Sequence, residues 1–235
     1  MSVKKFGKTE KRRAVRVLDL MEKAVTTETA LANISSQDPS SPSSPFRVLI
    51  STMLSARTKD PVTEEASARL FSRFPDADSL SKADKNTVSS LIKPVLYYNV
   101  KAQRIIEVSK ILVEKYGGSV PDNFDELLAL PGVGRKTANC VLVYAFKLPA
   151  IPVDVHVHRI SNRIGLVKTK NPETTEEELA MLYDKKYWVK VNELFVAFGQ
   201  TICKPIVPRC KICDVRPLCN YYQSEVKTGK RPSSS

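Results

Sequence analysis

The sequence predicts an all-α protein. Apolar residues recur at helical spacing in segment after segment, and the interruptions are rich in Pro, Gly and Ser. Alternation suited to a strand occurs only over residues 149–157, so almost no convincing strand remains. At 235 residues, the chain allows one large domain or two small ones, each able to bury a core.

Residues 1–13 carry Lys4, Lys5, Lys8, Lys11, Arg12 and Arg13 with little apolar content, which predicts a mobile arm followed by a helix. Val15, Leu18 and Met21 announce that helix, and Leu20 and Ala24 widen its stripe. The run from Ser35 to Pro45 is Ser- and Pro-rich and reads as a linker or surface loop. Phe46–Ala56 is apolar at helical spacing and predicts a buried helix. Asp60-Pro61 reads as an N-cap with proline at the first helical position, which leaves Ser55–Lys59 as a loop between two helices. Asp84–Ile92 predicts a short helix, ended by Pro94. After the loop Val95–Asn99, a longer helix runs from Val100 to Tyr116 and stops at Gly117-Gly118. Its predicted core face is Ala102, Ile105, Ile106, Leu112, Val113 and Tyr116.

Asn123–Ala129 is short and helical, and the turn Pro131-Gly132-Val133-Gly134 joins it to a helix from Arg135 to Phe146. Cys140 lies beside the apolar stripe of that helix and reads as a small core residue. From Pro149 the chain is expected to be extended as far as Val153. Asp154 then caps a helix on which Val157, Ile160 and Ile164 share a face up to the stop at Gly165. Thr174 or Thr175 precedes an acidic helix, Glu176–Tyr183. Trp188, Val191, Phe195, Phe198 and Ile202 mark a helix packed on a core. Residues 224–235 are polar and predicted to be disordered.

There are 37 basic and 25 acidic side chains, a net charge of +12, and the pI is near 9.5. This balance points towards polyanions such as nucleic acid, although basic tails that only aid solubility are common. A mean hydropathy of -0.22 and the lack of a long uncharged apolar run argue against a membrane role. The basic start is not followed by the apolar segment of a secretory signal, so an intracellular protein is expected.

The Pro-Gly-Val-Gly turn sets free backbone N–H groups at a helix N-terminus, where the dipole favours an anion such as a backbone phosphate. A glycine-containing helix connection without a ligand is the alternative. Lys136 stands in the first turn of the second helix, where a cation opposes the dipole and is rarely placed for stability. That suggests function, with simple phosphate contact as the alternative.

Cys203, Cys210, Cys213 and Cys219 form C-x6-C-x2-C-x5-C. With Pro205, Pro208 and Pro217 among them, these residues need a metal to order their loop. Structural zinc usually shows two C-x2-C pairs and only one is present, so an iron-sulfur cluster fits better. Lys204, Arg209, Lys211 and Arg216 intersperse the ligands and could present charge to DNA or simply be solvated. His156 and His158 sit two apart and do not share a helix face, so packing, capping or a DNA contact is expected rather than metal. Arg159 and Arg163 share a face, to touch phosphate or be solvated.

The hairpin LPGVGRKTAN, the segment VDVHVHRISNRIG and the four-cysteine pattern together resemble the endonuclease III family of DNA glycosylases, in the helix-hairpin-helix superfamily. The resemblance runs from about Phe46 to Cys219. It implies that Lys136 is the nucleophile and Asp154 the second catalytic residue, and the family's spacing of 18 residues between them is kept. It implies that Cys203, Cys210, Cys213 and Cys219 hold a 4Fe-4S cluster. The implied reaction is removal of an oxidised pyrimidine such as thymine glycol, followed by cleavage of the abasic strand. Lys136 would attack C1' of a flipped-out nucleotide, and β-elimination would cut on the 3' side. Gly132, Val133, Gly134 and Arg135 would grip the DNA backbone.

Two positions depart from the bacterial pattern. Arg57 stands where relatives place a glutamine that fills the gap left by the flipped base, and Tyr97 stands where they place a leucine wedge. Asn99 lies near a position linked to damage recognition. The implied architecture is a six-helix lobe over residues 38–148, with the helix-hairpin-helix at about 123–146. A discontinuous lobe of residues 1–37 and 149–235 would hold the cluster loop 203–219, with double-stranded DNA in a cleft between the lobes and the protein a monomer. A prokaryotic source would place it in the cytoplasm or nucleoid, a eukaryotic one in the nucleus or mitochondrion. A monofunctional mismatch or adenine glycosylase would lack a lysine at 136. A non-catalytic DNA-binding protein would need no carboxylate at 154.

Overall fold

The computed structural model describes residues 5–27 and 44–226. Among these every regular element is helical and no strand occurs. The chain divides into two compact units, Met1–Pro39 with Pro149–Ser235, and Ser40–Leu148.

The contiguous unit contains α2 (Pro45–Ser55), α3 (Asp60–Arg73), α4 (Ala77–Ser81), α5 (Lys85–Ile92), α6 (Tyr98–Tyr116), α7 (Phe124–Leu128) and α8 (Arg135–Tyr144). α6 is its axis and packs against α2, α4 and α5, while α2 also meets α3 and α8. The buried face of α6 is Ala102, Ile105, Ile106, Val108, Ser109 and Leu112. Val113 and Tyr116, expected in that face, are only partly covered. Phe46 of α2 meets Phe71 of α3 edge to face, with ring centroids 6.2 Å apart. Such a pair is worth about 0.5–1.5 kcal/mol beyond its buried area.

Helix starts in this unit are fixed locally. Asp76 and Ser79 form a reciprocal capping box on α4, the Asp84 side chain accepts from Thr87 N on α5, and Asn123 caps α7. α4 has no counterpart among the predicted elements, because a five-residue helix is too short to show periodicity. α3 begins one residue earlier than expected. Lys59 is its N-cap and Asp60 lies in the first turn, where a carboxylate complements the helix dipole without capping.

The discontinuous unit contains α1 (Lys8–Thr27), α9 (Val155–Ile164), α10 (Pro172–Leu182) and α11 (Trp188–Thr201), followed by a coil with single helical turns at Cys210–Ile212, Arg216–Leu218 and Tyr222–Val226. α11 packs on α1 and α9, and α10 packs on the same two. Val17, Met21, Val157, Ile160, Leu179, Phe195 and Phe198 are at the centre of its core. The buried Tyr183 hydroxyl donates to Ala14 O at 3.1 Å, tying the end of α10 to α1. Gly199 lies inside α11, at some cost in helix propensity. A Cβ there would stand 2.3 Å from His156 Nδ1, so the close approach of α9 and α11 requires its absence.

The helix expected after the basic start already begins at Lys8, since Ala14, Val17 and Leu18 give it a buried face, and residues 1–4 of the expected arm lie outside the described residues. Val15 lies beside that face rather than in it. α10 starts at Pro172, ahead of the predicted threonines, because Asn171 accepts from Thr174 N and proline suits the first turn. The Ser/Pro run up to residue 43 and the tail from 227 lie outside the described residues. Residues 224–226, expected to lack structure, belong to the last helical turn.

Candidate active site

In the hairpin, Val133 N donates to Leu130 O at 3.1 Å and Ala138 N to Gly134 O at 2.9 Å, so the turn runs directly into α8. Its two glycines differ in their reasons. Gly132 has φ +82°, whereas a side chain there would meet Arg104 and Met53 only at ordinary distances of 3.5 and 3.6 Å. The dihedral, and not space, demands glycine at 132. Gly134 has φ -96° and ψ 174°, which any residue adopts, and a Cβ there would meet nothing within 4 Å. A side chain at 134 would project into open space at the start of α8. Gly132→Ala should therefore lower stability by about 1–2 kcal/mol. Gly134→Ala should leave the melting temperature unchanged and weaken duplex binding; equal melting losses for the two would show that the distinction is wrong.

No side chain caps α8. Arg135 lies over the Phe124 ring at 4.9 Å, bracing the two helices of the hairpin. Lys136 is exposed in the first turn, in the unit Ser40–Leu148. Asp154 belongs to the other unit. Its Oδ1 accepts from His156 N at 2.9 Å and Val157 N at 2.8 Å, capping α9 as predicted. Both bonds fall on one oxygen, which leaves Oδ2 outside the cap.

The C-terminal half of α9 grips the cysteine loop. Arg159 donates to Cys203 O at 3.0 Å. Arg163 donates to Lys204 O at 2.7 Å, to Pro205 O and, at 3.8 Å, to Cys203 Sγ. These arginines, expected to touch phosphate or solvent, are structural. Arg13 adds bonds to Ile164 O and Leu218 O at 2.7 and 2.6 Å. The two histidines bond locally, His158 to Thr175 Oγ1 at 2.7 Å and His156 to Arg159 at 3.2 Å.

Cys203, Cys210, Cys213 and Cys219 all line one cavity, with about 370 Å³ of empty space including its mouth. Ile164, Phe198, Ile202 and Val215 form its apolar wall. Burial pushes the Cys213 thiol up to about 12, and Cys210 and Cys219 are raised for the same first reason. Among the described residues, no three of His, Cys, Asp and Glu converge tightly enough for a single metal ion. Lys204, Arg209, Lys211 and Arg216 are exposed around the loop.

Arg57 and Tyr97 are the exposed tips of two loops in the contiguous unit, and both are non-glycine residues in the left-handed region, at φ 56° and 58°. Each conformation costs about 1–2 kcal/mol and persists only where the surroundings enforce it. Asn99 lies in the first turn of α6 rather than in the preceding loop. Together with Lys85, Gln103, Arg104 and Glu107 it lines a shallow surface groove. The side chain of Arg104 also borders Gly132, so the groove and the hairpin adjoin.

Residues 50–185 match the family model of HhH-GPD superfamily base excision DNA repair proteins. The chain belongs to that superfamily. Its HhH-GPD region includes Arg57, Tyr97, the hairpin, Lys136 and Asp154, and stops before the cysteine loop. Endonuclease III of Thermotoga maritima is 54% identical over 183 residues, covering 78% of this chain and 86% of that protein. The endonuclease III-like protein 1 of Bos taurus is 43% identical over 177 residues, covering 74% of this chain and 58% of its own. Among solved structures, a trapped endonuclease III–DNA covalent intermediate in an estranged-adenine complex superposes with a TM-score of 0.79 at 31% identity, covering 91% of this chain and 97% of that one. A thermostable thymine-DNA glycosylase gives the same TM-score of 0.79 at 26% identity. The HhH-GPD fold thus accommodates more than one glycosylase, and the chemistry rests on individual residues. Among the described residues no helix is long and apolar enough to cross a membrane.

Proposed function

We propose that this base excision repair enzyme, a DNA glycosylase and abasic-site lyase, removes oxidised pyrimidines from duplex DNA with Lys136 as nucleophile and Asp154 as its charged partner. The observation that carries the reading is the exposed lysine in the first turn of the hairpin helix, where stability alone gives no reason for one. The damaged nucleotide would leave the stack at a cost of a few kcal/mol, which damage already lowers. The hairpin's N–H groups would hold the backbone phosphate beside it. The free amine of Lys136 attacks C1' as the bond to the base breaks, and the base leaves with the bonding electrons. The Asp154 carboxylate, with Oδ2 free of the cap, stabilises the positive charge developing on the sugar. The sugar ring then opens as the C1'–O4' bond breaks, O4' taking a proton from the attached amine. The resulting imine between Lys136 and C1' makes the C2' proton acidic, so that its loss expels the 3' phosphate. Arg57 would fill the vacated space and Tyr97 would stack against the neighbouring bases. The substrate would be double-stranded DNA, and the place of action would be wherever the cell keeps its DNA.

The test is release of thymine glycol from a duplex together with borohydride trapping of the protein on that DNA. Release without a trapped adduct, as expected of a monofunctional glycosylase, would overturn the lyase chemistry assigned to Lys136.

The cysteine cavity would hold a 4Fe-4S cluster. Four thiols around one apolar-walled cavity suit a group in which each iron takes its own thiolate. Arg163 of α9, which donates to Cys203 Sγ, suits the net negative charge of such a group. Bound there, it would serve as a structural cross-link for the loop. Its uptake must displace the thiol protons that burial favours. Purified protein should show broad visible absorbance and contain about four irons per chain, and Cys213→Ser should lose both. A colourless protein with one zinc per chain, prepared without air, would reject the cluster.

A further inference from the structure

Lys101 is an unremarkable helix lysine in the sequence, yet it is half-buried and has no carboxylate beside it. Its ammonium donates to Leu54 O at 2.6 Å, Ala56 O at 2.7 Å and Thr58 Oγ1 at 3.2 Å. Those are all the donors an ammonium has. Two of the acceptors flank the end of α2, where helix carbonyls lack intrahelical partners and carry the negative end of the dipole. The Thr58 hydroxyl is a second node. It accepts from Lys101 and from Leu96 N at 3.3 Å, and donates to Ala56 O at 3.4 Å. Thr58 adjoins Arg57, and Leu96 adjoins Tyr97. Lys101 N itself donates to Tyr97 O at 3.0 Å. Both tip residues are therefore held in the left-handed region by one network that joins the two loops.

We propose that Lys101 is a positioning residue whose bonds, relayed through Thr58, lock the Arg57 and Tyr97 loops into a single rigid element, so that the two side chains engage a duplex together. Desolvation brings the Lys101 ammonium down to about 8, and the three oxygen acceptors offset that burial. The functional part of this inference rests on the reading of Arg57 and Tyr97 as the residues that enter the duplex. The locking part does not.

Amide hydrogen exchange and base excision on thymine glycol duplex, measured in parallel, separate the two parts. In Lys101→Met and Thr58→Val, exchange should rise at residues 55–59 and 95–98 together, with α8 and the discontinuous unit unchanged. Thr58→Ser keeps the hydroxyl and should restore wild-type exchange in both loops. Single-turnover excision by Lys101→Met and Thr58→Val should fall about tenfold, the scale of a small misplacement at a site. Trapping on a pre-formed abasic site, where no base remains to be extruded, should change less than twofold. Faster exchange in only one loop would overturn the lock. Coupled exchange with unchanged excision would overturn its role in engaging DNA. Absence of excision and trapping in the wild-type protein would reject the catalytic reading, while the exchange data would still decide the lock.

Discussion

Lys136→Ala should abolish the covalent adduct that borohydride traps between the protein and an abasic duplex, and should lower strand cleavage by roughly three orders of magnitude or more, the scale seen when an enzyme loses its nucleophile. Neither Arg135 beside it nor the half-buried Lys101 of the same unit should substitute. Arg135 is always protonated and lies over Phe124, and the Lys101 ammonium is committed to three oxygen acceptors. The fold should not suffer, because Lys136 is exposed and removing a cation from the first turn of α8 relieves about 0.3–1 kcal/mol of unfavourable dipole interaction. Gel analysis of borohydride-treated mixtures beside thermal melts checks both halves. A mutant that still forms the adduct at wild-type yield would remove Lys136 from the mechanism.

Asp154 should separate into two functions when replaced in two ways. Asparagine caps a helix about as well as aspartate, so Asp154→Asn should keep the bonds to His156 N and Val157 N and the wild-type melting temperature. It loses the charge, and single-turnover base release should fall by about 10²–10⁴. Asp154→Ala should lose as much activity and, in addition, about 1 kcal/mol of stability with the cap. Rates within threefold of wild type for the asparagine variant would reduce Asp154 to a capping residue. A melting loss as large for asparagine as for alanine would contradict the division of labour between Oδ1 and Oδ2.

How much of this was legible in the sequence depended on whether the physics was local. α9 could be read almost to the residue, since an aspartate that caps, three apolar positions on one face and a glycine stop all lie within it. The hairpin was legible for the same reason, although its two glycines stand there on different grounds. Dihedral strain at Gly132 and open space before Gly134 look alike as letters. Arg159 and Arg163 were misread because an arginine pair at i, i+4 suggests a solvated face, and nothing local reveals that loop carbonyls some 40 residues away will meet them. Lys101 was missed on the same principle. Side chains that serve distant backbone oxygens leave no periodicity, no spacing and no charge partner. The helical start from Lys8 was obscured by the basic run, which hid the small apolar residues that bury one side of it.

The division of the chain into a contiguous and an interrupted unit also sets an order of events during synthesis. Domains fold as units, the earlier ones first, as the chain leaves the ribosome. Ser40–Leu148 is contiguous, so its internal contacts can form as soon as residue 148 emerges. α1 is made before it, yet Arg13 must wait for Ile164 and Leu218, and Ala14 for Tyr183. α1 thus finds its place only after that unit is complete, and it carries an uncovered apolar face until residues 164–218 have been made. The cysteines come late as well, so the cavity they line can form only after α9 and α11 have been made.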